Sequence, residues 1–362
     1  MSAGLFAPYT LGTLSLPNRV VMAPMTRSRA TPDHTPTPLM AEYYAARADG
    51  GLLITEGIAP DPNGCGYPRI PGLWSQAQVA AWKVVTQAVH DAGGRMSAQL
   101  MHTGRVGHPL NLPEGAAVLA PSAVAAPGEM YTDQQGPQPH PEPRAMTADE
   151  IEATIQGFVT AGRNAIAAGF DLVEVHGANG YLVEQFLSPD TNQRQDGWGG
   201  GIQGRGRFAI EVCRRLAAAI GADHVGIRLS PLGAFNGVVP WEGAEADFTW
   251  LAKELGALKL AYLHLVDHSS MGAPVVPDTL KAAITQAFGG TIILSGGYDR
   301  QRADADLAAG KGDLVAFGRP FLANPDLVTR LQKGAPLNPP DFGTFYTPGA
   351  KGYTDYPTMD PQ

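Results

Sequence analysis

Short apolar, β-branched runs alternate along this chain with longer stretches in which apolar residues recur at helical spacing. The runs predict strands at Arg19–Met25, Leu52–Thr55, Arg95–Met101, Leu172–His176, Val225–Leu229, Tyr262–Val266, Thr291–Leu294 and Leu314–Phe317. The stretches between them predict helices, among them Gln76–Asp91, Ala148–Ala168, Arg205–Ile220, Ala244–Leu255, Pro277–Phe288 and Arg300–Ala308. Thr147, with Glu150 three residues later, marks one of the helix starts. Strand–helix alternation implies an α/β fold with a parallel sheet. About eight repeats over this length favour a closed (β/α)8 TIM barrel over a doubly wound open sheet. The open sheet is weakened further because no G-x-G-x-x-G follows the first strand.

The rhythm breaks once. From Gly104 to Arg144 the chain is rich in Pro, Gly, Ala and Gln and has no helical period. A loop of that length is uncommon unless it serves as a lid or a binding excursion. It leaves the C-terminal end of strand three, which is the active-site face of a barrel. The expectation is a partly β-structured cap over the site, spanning residues 104–146. No linker splits the chain, so residues 1–362 are expected to form a single domain.

Composition narrows the function classes. A net charge of -8 and the lack of a basic stripe argue against a nucleic-acid partner. No stretch approaches the roughly 18 apolar residues of a membrane span, and Met1–Phe6 lacks a positively charged leader. Cys65 and Cys213 are too few for a disulfide framework or a zinc site, so no metal is expected. A cytoplasmic protein is the simplest reading.

The chemistry concentrates at strand ends. Strand four opens into Glu174-Val175-His176-Gly177-Ala178-Asn179-Gly180-Tyr181, which carries three hydrogen-bond donors within six positions. An imidazole and an amide at that spacing can converge on one substrate oxygen, with a phenol beside them as a proton source. The alternative is a polar turn around a satisfied histidine. Arg228, inside an otherwise apolar strand five, is expensive unless it meets an anion, a polar ligand or an acidic neighbour. Gln99 on strand three needs partners that a heterocycle edge would supply. Strands seven and eight end in Ser295-Gly296-Gly297 and Phe317-Gly318-Arg319-Pro320, at the usual phosphate corner of this fold. Together these features suggest a phosphorylated planar cofactor.

Collinear motifs then resemble the Old Yellow Enzyme family of flavin-dependent ene-reductases over nearly the whole length. They include Ala23-Pro24-Met25-Thr26-Arg27, Gln99-Leu100-Met101-His102-Thr103-Gly104-Arg105, Phe186-Leu187-Ser188-Pro189, Ala316-Phe317-Gly318-Arg319 and Gly352-Tyr353-Thr354-Asp355-Tyr356-Pro357. The resemblance implies a TIM barrel holding FMN non-covalently, reduced by NADPH or NADH, that passes hydride to the β-carbon of alkenes activated by carbonyl or nitro groups. It implies that Thr26 meets the flavin C4 carbonyl region, Gln99 the pyrimidine edge and Arg228 the N1 and C2 carbonyl region. Pro24, Met25, Gly57, Gly296, Gly297, Gly318 and Arg319 would complete the ring and phosphate contacts. His176 and Asn179 would bind the substrate oxygen, Tyr181 would protonate the α-carbon, and Tyr67, Met101 and Tyr346 would line the pocket.

Three features mark this chain within the family pattern. Met101 stands where many relatives carry tryptophan, the oxygen-binding pair is His/Asn, and Thr26 replaces the cysteine of the thermophilic-like branch. Cys65 reads as a small packed residue. An alternative function with the same flavin site is reduction of nitrate esters or nitro compounds. A flavin-free aldolase or isomerase would want a lysine at a strand end, and none is there. A non-catalytic flavin binder would leave the donors at 176, 179 and 181 without purpose. The partners expected are small activated alkenes, and the chain is expected to be a monomer or homodimer.

Overall fold

Eight short parallel strands close on themselves, each hydrogen-bonded to the next and the last to the first. The computed structural model describes residues 4–359, so Met1–Ala3 of the N-terminal stretch lie outside the described residues. In barrel order the strands are Val20–Met22, Leu52–Ile54, Met96–Leu100, Leu172–Gly177, Val225–Leu229, Tyr262–Val266, Thr291–Ser295 and Leu314–Phe317. They are called strands one to eight below. All eight coincide with apolar runs of the sequence, because a parallel strand buried on both faces needs apolar side chains on both.

The period of two sorts those side chains. Val21, Leu52, Ile54, Leu172, Tyr262, Ile293 and Leu314 pack together in the barrel interior. Leu11 and Leu16 join them from a hairpin, Tyr9–Leu11 with Leu14–Leu16, which the sequence reading did not anticipate. Val20, Val173, Val175, Ile227 and Leu263 face outward into a larger core shared with the helices. Helices Gln76–Asp91 and Ala148–Ala167 both begin with reciprocal capping boxes, Ser75 with Gln78 and Thr147 with Glu150.

Strand one is shorter than expected and stops at Met22. Pro24 has no N–H to give to a ladder, so Ala23-Pro24-Met25-Thr26 runs on as the loop at the open end of the barrel. The excursion after strand three is partly β-structured, with a hairpin Glu129–Thr132/Gly136–Pro139 and a parallel pair Leu119–Ala120/Arg144–Ala145. None of the residues that line the cavity falls in 104–146. Its Val106, Ala126 and Met130 instead pack behind Met101 and Tyr181. The excursion thereby buries its apolar residues against two residues of the pocket wall.

Candidate active site

A cavity of about 450 Å³ opens at the C-terminal end of the strands. Pro24, Met25, Thr26, Gly57, Gln99, Met101, His176, Asn179, Tyr181, Arg228, Gly296, Gly297, Gly318, Arg319 and Tyr346 all line it. Those residues span more than three hundred positions of sequence and come from seven strand ends and the C-terminal segment. Tyr67 is the one expected member that does not line the cavity. It stands behind Tyr181, with the two phenol oxygens 2.8 Å apart.

The turn after strand four is held from inside. The Ala178 N–H donates to His176 Nδ1 at 3.2 Å, so the neutral ring carries its proton on Nε2. Burial and the neighbouring Arg228 push the His176 pKa well below the ordinary histidine value, so the ring is a neutral donor. Asn179 and Gly180 both have left-handed backbone, with φ of 61° and 73°. Glu184 fixes that turn: it accepts from the Gly180 N–H at 2.6 Å and from the Ser230 hydroxyl at 2.8 Å, while Ser230 accepts from the Asn179 N–H at 3.1 Å. Burial pushes the Glu184 carboxyl up to about 7. Tyr181 is pushed up to about 12 by burial, so it holds its proton across neutral pH.

Arg228 shows what the cavity is built to receive. It is 6% exposed, its Nε is buried without a partner, and among the described residues no carboxylate lies within ion-pair distance. The buried ion pair that would have explained this arginine structurally is absent. A guanidinium in that state calls for an anionic or strongly polar ligand in the cavity. Gln99, alongside on strand three, has its amide nitrogen committed to Glu174 at 2.7 Å. At the opposite end, Gly296 has φ of 124°, and an added Cβ would sit 2.1 Å from the Asp267 carbonyl oxygen. Only glycine fits there, and the backbone of Gly296 and Gly297 stays open to the cavity. The Arg319 guanidinium reaches the same end, 5.5 Å above the Phe342 ring. A planar, polar-edged, phosphorylated group therefore fits these residues: a cation for one edge, an amide beside it, and an open backbone with a second cation at the far end.

Sequence reading missed several cavity residues: Phe235 after strand five, Asp267, His268, Ser270 and Met271 after strand six, and Tyr298 and Phe345. The signal for the strand-six group was available, since His268-Ser269-Ser270-Met271 directly follows a predicted strand. Met101 packs tightly enough over Gly57 that an added Cβ there would be 2.5 Å from its sulfur. Cys65 is fully buried and burial pushes its thiol well up, which makes it inert.

Residues 4–338 match the NADH:flavin oxidoreductase / NADH oxidase family. The chain is 43% identical over 363 residues to chanoclavine-I aldehyde reductase of Penicillium roqueforti, covering 97% of this chain and 95% of that protein. It is 40% identical over 359 residues to a probable flavin mononucleotide-dependent alkene reductase of Leishmania infantum, covering 98% and 97%. Among solved structures it is similar to morphinone reductase, with 45% identity, a TM-score of 0.95 and coverage of 99% and 97%. Morphinone reductase has also been solved in complex with tetrahydroNAD.

Proposed function

The chain belongs to the NADH:flavin oxidoreductase / NADH oxidase family, the Old Yellow Enzyme group of FMN-dependent alkene reductases, and from that premise we propose which residues carry each part of the reaction. FMN bound in the cavity supplies hydride transfer from NAD(P)H to the β-carbon of an alkene conjugated to a carbonyl or nitro group. Thr26, Gln99 and Arg228 hold its polar ring edge, Pro24, Met25 and Gly57 flank the ring, and Gly296, Gly297, Gly318 and Arg319 hold its phosphate. Arg228 sets a fixed positive charge where the site must accept negative charge, in a place closed to water.

His176 Nε2–H and the Asn179 amide donate to the oxygen of the electron-withdrawing group. His176 is fit for this because its Nδ1 is already occupied and its ring is neutral, so the donor is fixed before substrate arrives. Tyr181 gives a proton to the α-carbon, with the Tyr67 hydroxyl in contact with its own. Met101, Phe235, His268 and Tyr346 shape the space around the alkene, and the 104–146 excursion braces Met101 and Tyr181 from outside.

The single observation that carries this reading is Arg228, buried and unpaired at a cavity whose other walls hold a tautomer-fixed histidine and a phenol. Purified protein should absorb near roughly 450 nm, as oxidised flavins do. That band should bleach with NADPH under anaerobic conditions and return on adding 2-cyclohexenone. A colourless protein that takes up no FMN from solution overturns the assignment. Rates on 2-cyclohexenone and on a nitrate ester decide which substrate class the pocket favours.

A further inference from the structure

Directly beneath the cavity floor the barrel interior holds a carboxylate that the reaction does not touch. Glu174 points inward from strand four and is completely buried. One of its oxygens accepts from Gln99 Nε2 at 2.7 Å and the other from His264 Nδ1 at 2.9 Å. Strand register builds this cluster: Glu174 is level with Gln99 on one side, and Arg228 is level with His264 on the other. Gly226 completes it, since an added Cβ there would lie 2.4 Å from the Tyr262 ring, which fills the space beside Glu174.

Every neighbour of Glu174 offers a hydrogen. An amide N–H on one oxygen and an imidazole nitrogen on the other are the partners that suit a carboxylate acting as an acceptor. Burial lowers the His264 pKa, and its Nε2 is buried without a partner, so the ring is neutral and does not cancel the charge. No cation lies within ion-pair distance of Glu174 among the described residues. Burial lowers the Arg228 pKa, and Glu174 is the foremost charge acting in the opposite direction. An ionised carboxylate shut inside a barrel is costly and gains nothing for stability alone.

We propose that Glu174 is a positioning residue for the cofactor edge, with two separable effects. Its hydrogen bond locks the Gln99 amide with nitrogen down and oxygen up, so the cavity floor presents a fixed acceptor. Its charge opposes that of Arg228, which reduces the pull of the site on negative charge and sets the reduction potential of bound flavin lower than Arg228 alone would. The inference rests on the FMN reading above.

Glu174→Gln and Glu174→Asp separate the two effects, with midpoint potential by anaerobic equilibrium titration and FMN affinity by fluorescence quenching of the apoprotein as readouts. Glu174→Gln removes the charge at constant size, so the midpoint potential should move positive relative to wild type. Glu174→Asp keeps the charge but cannot reach Gln99, so FMN affinity should fall by about tenfold or more while the potential stays near wild type. A folded Glu174→Gln protein with an unchanged potential overturns the charge effect, as does a loss of melting temperature with the potential unmoved. Should Glu174→Gln not fold, unchanged affinity in Glu174→Asp overturns the positioning claim by itself. A wild-type protein that binds no FMN would instead remove the reading beneath, and the two failures are told apart in the first titration.

Discussion

Tyr181 is a weak acid made weaker. Burial pushes it up to about 12, so at neutral pH it is fully protonated and always ready to donate, at the expense of driving force. The 2.8 Å contact with the Tyr67 hydroxyl acts in the opposite direction, lowering the Tyr181 pKa. Tyr181→Phe should therefore slow alkene reduction by about 10²-fold or more, within the usual range for a positioned acid. Reduction of the oxidised flavin by NADPH should proceed at the wild-type rate in the same variant. Stopped-flow measurement of the two half-reactions tests this, and equal slowing of both would remove Tyr181 from the proton step. In wild type the alkene half-reaction should stay flat through the neutral range and fall only as pH approaches about 12. The donor set 176, 179 and 181 was readable in the sequence because the three residues are neighbours. Tyr67 was readable as an aromatic but not as the partner of Tyr181, since 114 positions separate them.

At the scale of elements, the turn from Gly177 to Glu184 is where chain and chemistry meet. The strands and most helices followed from hydrophobic period and caps, since each records its own burial locally. What the period could not record is which inward side chains face each other across the barrel. Glu174 with His264 is one such pair, and the same blindness hides Glu184, on the helix after strand four, from Ser230 at the end of strand five. Glu184 sits in the short helix Leu182–Leu187, where an acidic residue looks like an ordinary first-turn charge. Instead its carboxyl is buried under the turn and pushed up to about 7 from an ordinary 4.5. The folded pKa is the higher one, so the folded state binds the extra proton. Its contribution to stability is present below about 4.5 and lost as pH rises through about 7. Glu184→Gln should remove that dependence, an effect on the order of 1–3 kcal/mol between pH 5 and pH 8. Urea denaturation at both pH values checks it: wild type should lose more stability toward pH 8 than the variant does. Parallel pH curves would show that Glu184 is not the group that titrates. The same variant should keep His176 in place, because the Ala178 contact does not depend on Glu184.

Across the whole molecule, the site is closed by contacts between the two ends of the chain. Arg27 Nε donates to the Phe345 carbonyl at 3.1 Å and its Nη2 to the Gly352 carbonyl at 2.7 Å. Arg29 donates to the Thr344 and Phe345 carbonyls, each at 2.8 Å. Arg69 reaches the Tyr346 carbonyl at 2.9 Å. These side chains pin the segment that carries Phe345 and Tyr346 over the loop after strand one, while Tyr43 and Tyr353 stack at 4.0 Å beneath it. Arg29→Ala should raise KM for enones several-fold with kcat less affected, since it loosens a wall and leaves the reacting groups in place. A fall in kcat with KM unchanged would place Arg29 nearer the chemistry than its contacts do.

The barrel itself is organised around a charge that no direct ion pair meets among the described residues. Arg228 sits 6% exposed with its Nε unpartnered, so the apoprotein carries a desolvated guanidinium that a bound flavin would satisfy. Cofactor binding and folding are then coupled: at FMN a hundredfold above its dissociation constant the folded state gains about 2.7 kcal/mol. Arg228→Met replaces the guanidinium with an apolar side chain of similar reach. The variant apoprotein sheds the desolvation cost of the guanidinium but deprives Glu174 of its opposing charge, so the shift on adding FMN, and not the apoprotein's own melting temperature, is the readout. With FMN added at one fixed concentration, wild type should shift upward by a few degrees and Arg228→Met by much less. Thermal melts of the four samples decide the matter. Arg228 is not a cofactor ligand if both proteins shift equally. A smaller shift in Arg228→Met than in wild type is the signature of a residue held desolvated for its ligand, whichever apoprotein melts higher.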